Sequence, residues 1–140
     1  MHPQRIILIC LALLGISSIF IPWYTIEILI VKTSVNGIDG NGALFLVLFL
    51  IIILLTLIPD RRTSLKGISF WLVVCVSLCT FLLGTYELMT LANESKTILG
   101  QVIASVTKPG IGLYLLITCS FCITLAPIIS NLIIKKNRDI

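Results

Sequence analysis

The sequence predicts an all-α membrane protein, a four-transmembrane-helix bundle with a small extracytoplasmic β-strand or hairpin cap. Three observations predict it. Hydrophobic residues make up 58% of the 140 residues and charged residues only 11%, whereas a soluble domain carries about 25% charged residues. The apolar residues gather into four long uncharged runs, each near the length of about 20 residues that a spanning helix needs. The charges lie between and beyond those runs, where they serve topology. The length suits one domain, residues 1–140. A net charge of +4 without a basic face interleaved with aromatics argues against nucleic acid as a partner.

The first span is expected over residues 6–24. It starts after Arg5 at the membrane edge and ends on Pro22, Trp23 and Tyr24, with the two aromatics placed in the interfacial belt. The run continues past Gly15-Ile16-Ser17, and Ile9 precedes Cys10 where a lipoprotein signal wants a small residue. It therefore reads as an uncleaved span and not a signal peptide.

Residues 25–35, TIEILIVKTSV, are rich in β-branched side chains and interrupted by Glu27 and Lys32. They read as a strand. Asn36-Gly37 and Asp39-Gly40 are turn dipeptides, suited by residues that tolerate positive φ. A small strand or hairpin over the outer end of the bundle follows.

The second span is expected over residues 43–58, stopped by Pro59-Asp60-Arg61-Arg62, and the third over residues 68–86. The short connection between them makes these spans antiparallel neighbours. Trp71 and Tyr86 fall at interface depths in the third span. In residues 87–109, Leu91, Ile98, Leu99, Val102, Ile103 and Val106 recur at roughly helical spacing, which suggests an amphipathic helix on the membrane or an extension of the third span. The fourth span covers residues 111–134, and Pro127 is expected to kink it.

Seven Lys and Arg residues (Arg5, Arg61, Arg62, Lys66, Lys135, Lys136, Arg138) fall on one side of this arrangement and three (Lys32, Lys96, Lys108) on the other. The positive-inside rule then places both termini in the cytoplasm and two loops outside the inner membrane.

Pro22-Trp23 after the first span, GIDGNG at residues 37–42 and GIGLY at residues 110–114 together resemble a widespread group of small bacterial four-span proteins. Asn41 stands where that group's pattern carries Asp. The resemblance spans essentially the whole chain and implies the four-span architecture, but no particular reaction. The order of helices and loops is also claudin-like in architecture, without the cysteine pair of those outer loops.

Two constellations are candidates for chemistry. Cys119 and Cys122 form a C-x-x-C, and Cys75 and Cys79 lie at i,i+4 on the third span, so four thiols are expected near mid-membrane. A thiol oxidoreductase needs a thiolate and access to a partner disulfide, and no outer-loop cysteine exists to supply the latter. Packing cysteines are the simpler reading. Asp39 and Asn41 are oxygen ligands two residues apart, too few for a calcium loop and better read as part of a tight turn. The span interiors hold no Asp, Glu, Lys, Arg or His, which speaks against a conventional coupled transporter. Glu87 reads as an interfacial residue. Small residues Gly15, Ser17, Ser18, Gly84 and Gly112 allow close helix approach.

The resulting expectation is a non-enzymatic accessory or interaction protein of the bacterial envelope, without cofactor or metal. Besides the lipid bilayer, its partner is a membrane or envelope protein or a second copy. Contact is expected through the outer loops: Trp23, Tyr24, Glu27, Lys32, Gly37, Asp39, Gly40, Asn41 and Gly42. Two alternatives stand beside it: a thiol-disulfide oxidoreductase using Cys119 and Cys122, and an immunity protein against a membrane-acting toxin.

Overall fold

Apolar runs with no interior charge form helices wherever their backbone polar groups must be satisfied within the segment, and four α-helices result among the described residues. The computed structural model describes residues 3–28, 31–58, 65, 67–94 and 107–136. Helix α1 is Pro3–Ile19, α2 is Gly42–Leu57, α3 is Ile68–Glu94 and α4 is Ile111–Lys136. Pro3 opens α1, where a missing N–H costs nothing. Each helix packs on two others, closing a ring in the order α1, α2, α3, α4.

Paired contacts set the directions. Gly15 of α1 meets Phe49 of α2, and Arg5 meets Thr56. Gly84 of α3 meets Leu116 and Ile117 of α4, while Ser77 meets Thr124. Gly112 of α4 lies against the carbonyls of Ser18 and Ile21 at the end of α1. The ring is therefore antiparallel throughout. Gly15, Ser18, Gly84 and Gly112 stand at these approaches, as expected from the sequence, whereas Ser17 is exposed and bonds back to Leu14 O.

The core is largely apolar, but hydroxyl side chains lie within it while large apolar side chains cover the outside of the helices. Ser18, Thr56, Ser77, Thr80 and Ser120 are buried, while Leu13, Leu14, Val47, Leu54, Leu82 and Phe121 are exposed. Most of the buried hydroxyls bond back to their own helices, for example Thr80 to Val76 O at 2.8 Å and Ser120 to Leu116 O at 2.7 Å. They are thereby satisfied without water. Among the described residues α3 and α4 are long and apolar enough to cross a membrane, and α1 and α2 are shorter apolar helices of 17 and 16 residues.

The cap is larger than a hairpin. Strand β1, Pro22–Ile28, pairs antiparallel with β2, Val31–Asn36, and on its other edge with β3, Thr107–Pro109. The sheet order β2-β1-β3 joins segments that flank different helices.

Several expectations need correction. The first helix stops at Ile19, not at residue 24, because Pro22, Trp23 and Tyr24 enter β1. The third helix continues beyond residue 86 to Glu94, so the start of the second outer segment extends it. Residues 107–109, which include the Lys108-Pro109 expected to end an amphipathic helix, form β3, since the β1 edge offers them backbone partners. Residues 95–106, with Ile98, Leu99, Val102 and Ile103, lie outside the described residues, as do Asp60, Arg61, Arg62, Lys66 and Arg138.

Candidate functional site: the capped end of the bundle

Trp23 organises the capped end. Between Pro22 and Tyr24 the β1–β2 register shifts, two residues of β1 advancing against one of β2. Trp23 is the extra residue of this bulge. A bulge re-aims a side chain that regular alternation would send elsewhere, and here the indole enters the bundle. It is fully buried. Its Nε1–H donates to the Ser18 carbonyl at 3.1 Å, and its ring meets Phe45 edge-on at 5.5 Å and Tyr24 at 6.4 Å. This corrects the belt assignment. An indole with its one donor satisfied is more stable in a packed pocket than at an interface.

The glycines of the two outer motifs close around this ring. A Cβ on Gly37 would overlap the Trp23 indole. One on Gly42 would strike the Gly37 carbonyl and come within 2.8 Å of Ile19, and one on Gly112 would come within 2.8 Å of Trp23 Cδ1. Gly110 N–H donates to the Trp23 carbonyl at 2.6 Å, beside the β1–β3 pairing. The turn dipeptides do not use positive φ. Residues 37–39 form a 3-10 turn, and Gly40 sits at φ −117°. Among the described residues, Gly67 is the one glycine at positive φ. Gly37, Gly42, Gly110 and Gly112 are needed for close approach instead, whereas a Cβ on Gly40 would meet nothing nearer than 3.8 Å.

The residues expected to meet a partner divide accordingly. Trp23, Gly37 and Gly42 are buried and structural, and Tyr24 is half-buried. Asp39, Gly40 and Asn41 are exposed, together with Ile38, Thr33 and Ser34, which the sequence reading did not single out. An isolated apolar residue beside GlyAspGly-type turns was the available signal for Ile38. Glu27 and Lys32 stand opposite each other in the β1–β2 register. The Asn41 amide donates to Glu87 Oε1 at 2.5 Å, tying the turn to α3. Asn41 and Glu87 are thus partners of each other.

An open groove of about 380 Å³ lies between β1, β3 and the start of α4, lined by Pro22, Thr25, Lys108, Pro109 and Ile111.

The opposite end is held by polar groups that the sequence assigned only to topology. Arg5, placed at the membrane edge, is fully buried. Its Nη1 donates to the Thr56 carbonyl at 2.8 Å, in the last turn of α2, where carbonyls lack helical partners and the helix dipole is negative. Gln4 Oε1 accepts the Leu65 N–H at 3.2 Å, fixing the chain before α3.

The expected convergence of four thiols is not present. Cys119 is buried, whereas Cys75, Cys79 and Cys122 are exposed along with Cys10, and all are free. Among the described residues no three His, Cys, Asp or Glu side chains group as a metal site would require. The i,i+4 spacing put Cys75 and Cys79 on one helix face correctly, but that face points outward.

No family model, curated protein or solved structure matches this chain.

Proposed function

We propose that the chain is a non-enzymatic, four-span protein of the bacterial inner membrane that binds an envelope protein through its cap. Both termini are assigned to the cytoplasm and the cap to the outer face. The observation that carries this reading is the way the cap is built onto the bundle. A bulged strand drives Trp23 into the helices, and glycines from the turn and from α4 close on it. Segments before and after the helix pair α2–α3 are joined in one sheet. A surface held this rigidly costs little entropy to present to a partner.

The exposed apolar flanks and buried hydroxyls support burial in lipid, where an outward leucine needs no water-facing polar shell. The excess of Lys and Arg on the side away from the cap supports the orientation. The partner-facing positions in this reading are Thr33, Ser34, Ile38, Asp39 and Asn41.

The test is site-specific photo-crosslinking in cells. A photoreactive residue at Ser34 or Ile38 is expected to capture one discrete envelope protein, and the same probe at Val47 on α2 only lipid. Capture of lipid alone from all three positions would overturn the interaction reading. Orientation is read separately, by labelling Asp39→Cys with an impermeant thiol reagent in intact cells.

A further inference from the structure

With the four helices taken as membrane spans, a reading on which this inference rests, we propose that the bundle fits a hydrocarbon layer of about 24 Å and selects phospholipids with short acyl chains as its surrounding shell. A typical bilayer core is about 30 Å thick.

Three sets of residues mark the same two limits. Helix α2 has 16 residues, about 24 Å at the helical rise. At its capped end Asn41 bonds to Glu87, so a carboxylate and an exposed polar turn stand at the level where α2 begins. At its other end the Arg5 guanidinium meets Thr56 O, a charged layer at the level where α2 ends. In α1, residues 6–19 lie between that layer and the cap, about 21 Å.

Helix α3 carries the third mark. Trp71 and Tyr86 are each 64% exposed, fifteen positions apart on the outer surface, about 22 Å along the axis. Exposed Trp and Tyr settle at the two membrane–water interfaces. Glu87 follows Tyr86 directly and repeats the outer limit. Helices α3 and α4 are longer, at 27 and 26 residues. The excess of α3 lies mostly past Glu87 on the cap side, with Ile68, Ser69 and Phe70 before Trp71 at the other end. That of α4 continues past Pro127 at the opposite end. Neither moves the limits set by the charges and aromatics.

A bilayer thicker than these limits must thin around the bundle or draw Glu87 and the Arg5 layer toward hydrocarbon. Each ångström of mismatch has a modest cost. Lipids with shorter chains remove that cost.

The test reconstitutes the full chain in phosphatidylcholine vesicles with acyl chains of about 14, 18 and 22 carbons. Insertion is checked by resistance to alkaline carbonate. Opening of the bundle is read as the rate of maleimide labelling of buried Cys119, normalised to exposed Cys122 in the same vesicles. Labelling about tenfold slower in the shortest chains than in the longest is the expected result. Full insertion with the slowest labelling in either longer-chain lipid, or with equal rates in all three, overturns the thickness assignment and leaves the membrane reading standing. Extraction by carbonate from every lipid overturns the membrane reading itself, and this inference with it.

Discussion

Individual side chains at the two ends of the bundle act as fasteners, and each can be removed singly. Trp23→Phe keeps most of the aromatic volume but loses the donor to the Ser18 carbonyl. A loss of about 1–2 kcal/mol is expected, measured as the free energy of unfolding in mixed micelles. Gly112→Ala inserts a methyl against the Ile21 and Ser18 carbonyls, at 2.7 and 2.8 Å. Backbone on both sides cannot yield, so about 1–3 kcal/mol is expected from overpacking, although Ala is the better helix former. Arg5→Ala removes a charge-assisted bond to an otherwise orphaned carbonyl and is expected to cost about 1.5–3 kcal/mol. Arg5→Lys recovers part of it, because one donor suffices for Thr56 O. Equal stability of the Ala and Lys variants would show that the charge, and not the reach of the side chain, is immaterial.

Among the described residues the contacts between elements include glycine against rings, carbonyls and aliphatic side chains, a guanidinium and an indole on carbonyls, hydroxyl against hydroxyl, and an amide–carboxylate tie. The Ser77–Thr124 bond joins α3 and α4. In the four-span reading such a bond is worth about 0.6 kcal/mol on average, so Ser77→Ala is expected to have a small effect. Packing of Leu116 and Ile117 on Gly84 is the stronger link between those helices. The Asn41–Glu87 tie is different in consequence, since it locks an exposed turn. Asn41→Asp places a second carboxylate against Glu87 and replaces a donor by an acceptor. Faster amide exchange in residues 37–43 is expected, and adding Glu87→Gln restores slow exchange by supplying a new donor. Unchanged exchange in Asn41→Asp would show that the turn is held by the Gly37–Trp23 packing alone.

At the scale of the molecule, the antiparallel ring brings the β1–β2 pair and β3 to one end and buries only one of five thiols. Reaction with a small maleimide in mild detergent is expected to modify Cys10, Cys75, Cys79 and Cys122 first and Cys119 last, as read by peptide mass. Early modification of Cys119 would show that the packing around it within the bundle is open. The double change Cys119→Ser, Cys122→Ser is expected to leave photo-crosslinking from the cap intact, because the thiols lie in the helices and the proposed partner surface does not include them. The four-span reading and the thickness assignment also belong at this scale, since both depend on how helix lengths combine around the ring.

What the sequence by itself determined was the helical framework. Uncharged apolar runs have one economical way to satisfy their backbone, so the existence and order of α1 to α4, the start of α4 and the small residues at helix approaches were all legible. The β character of residues 25–28 and 31–35 was legible too, from their β-branched side chains, but the sequence reads residues 25–35 as one strand, whereas they belong to two strands paired with each other. Tertiary structure alone decided where α1 ends, because Pro22–Tyr24 gains more by pairing in a sheet than by prolonging a helix. It also decided the fate of Trp23 and Arg5. Composition marks an aromatic or a cation at a run's end as interfacial, and only neighbouring carbonyls, those of Ser18 and Thr56, turn it inward. The third strand was hidden for a similar reason: three residues, Thr107–Pro109, have no strand signature of their own and become a strand only because β1 presents a free edge. Which face of α3 carries Cys75 and Cys79 depended on the ring of packed helices, a relation that helical spacing does not contain.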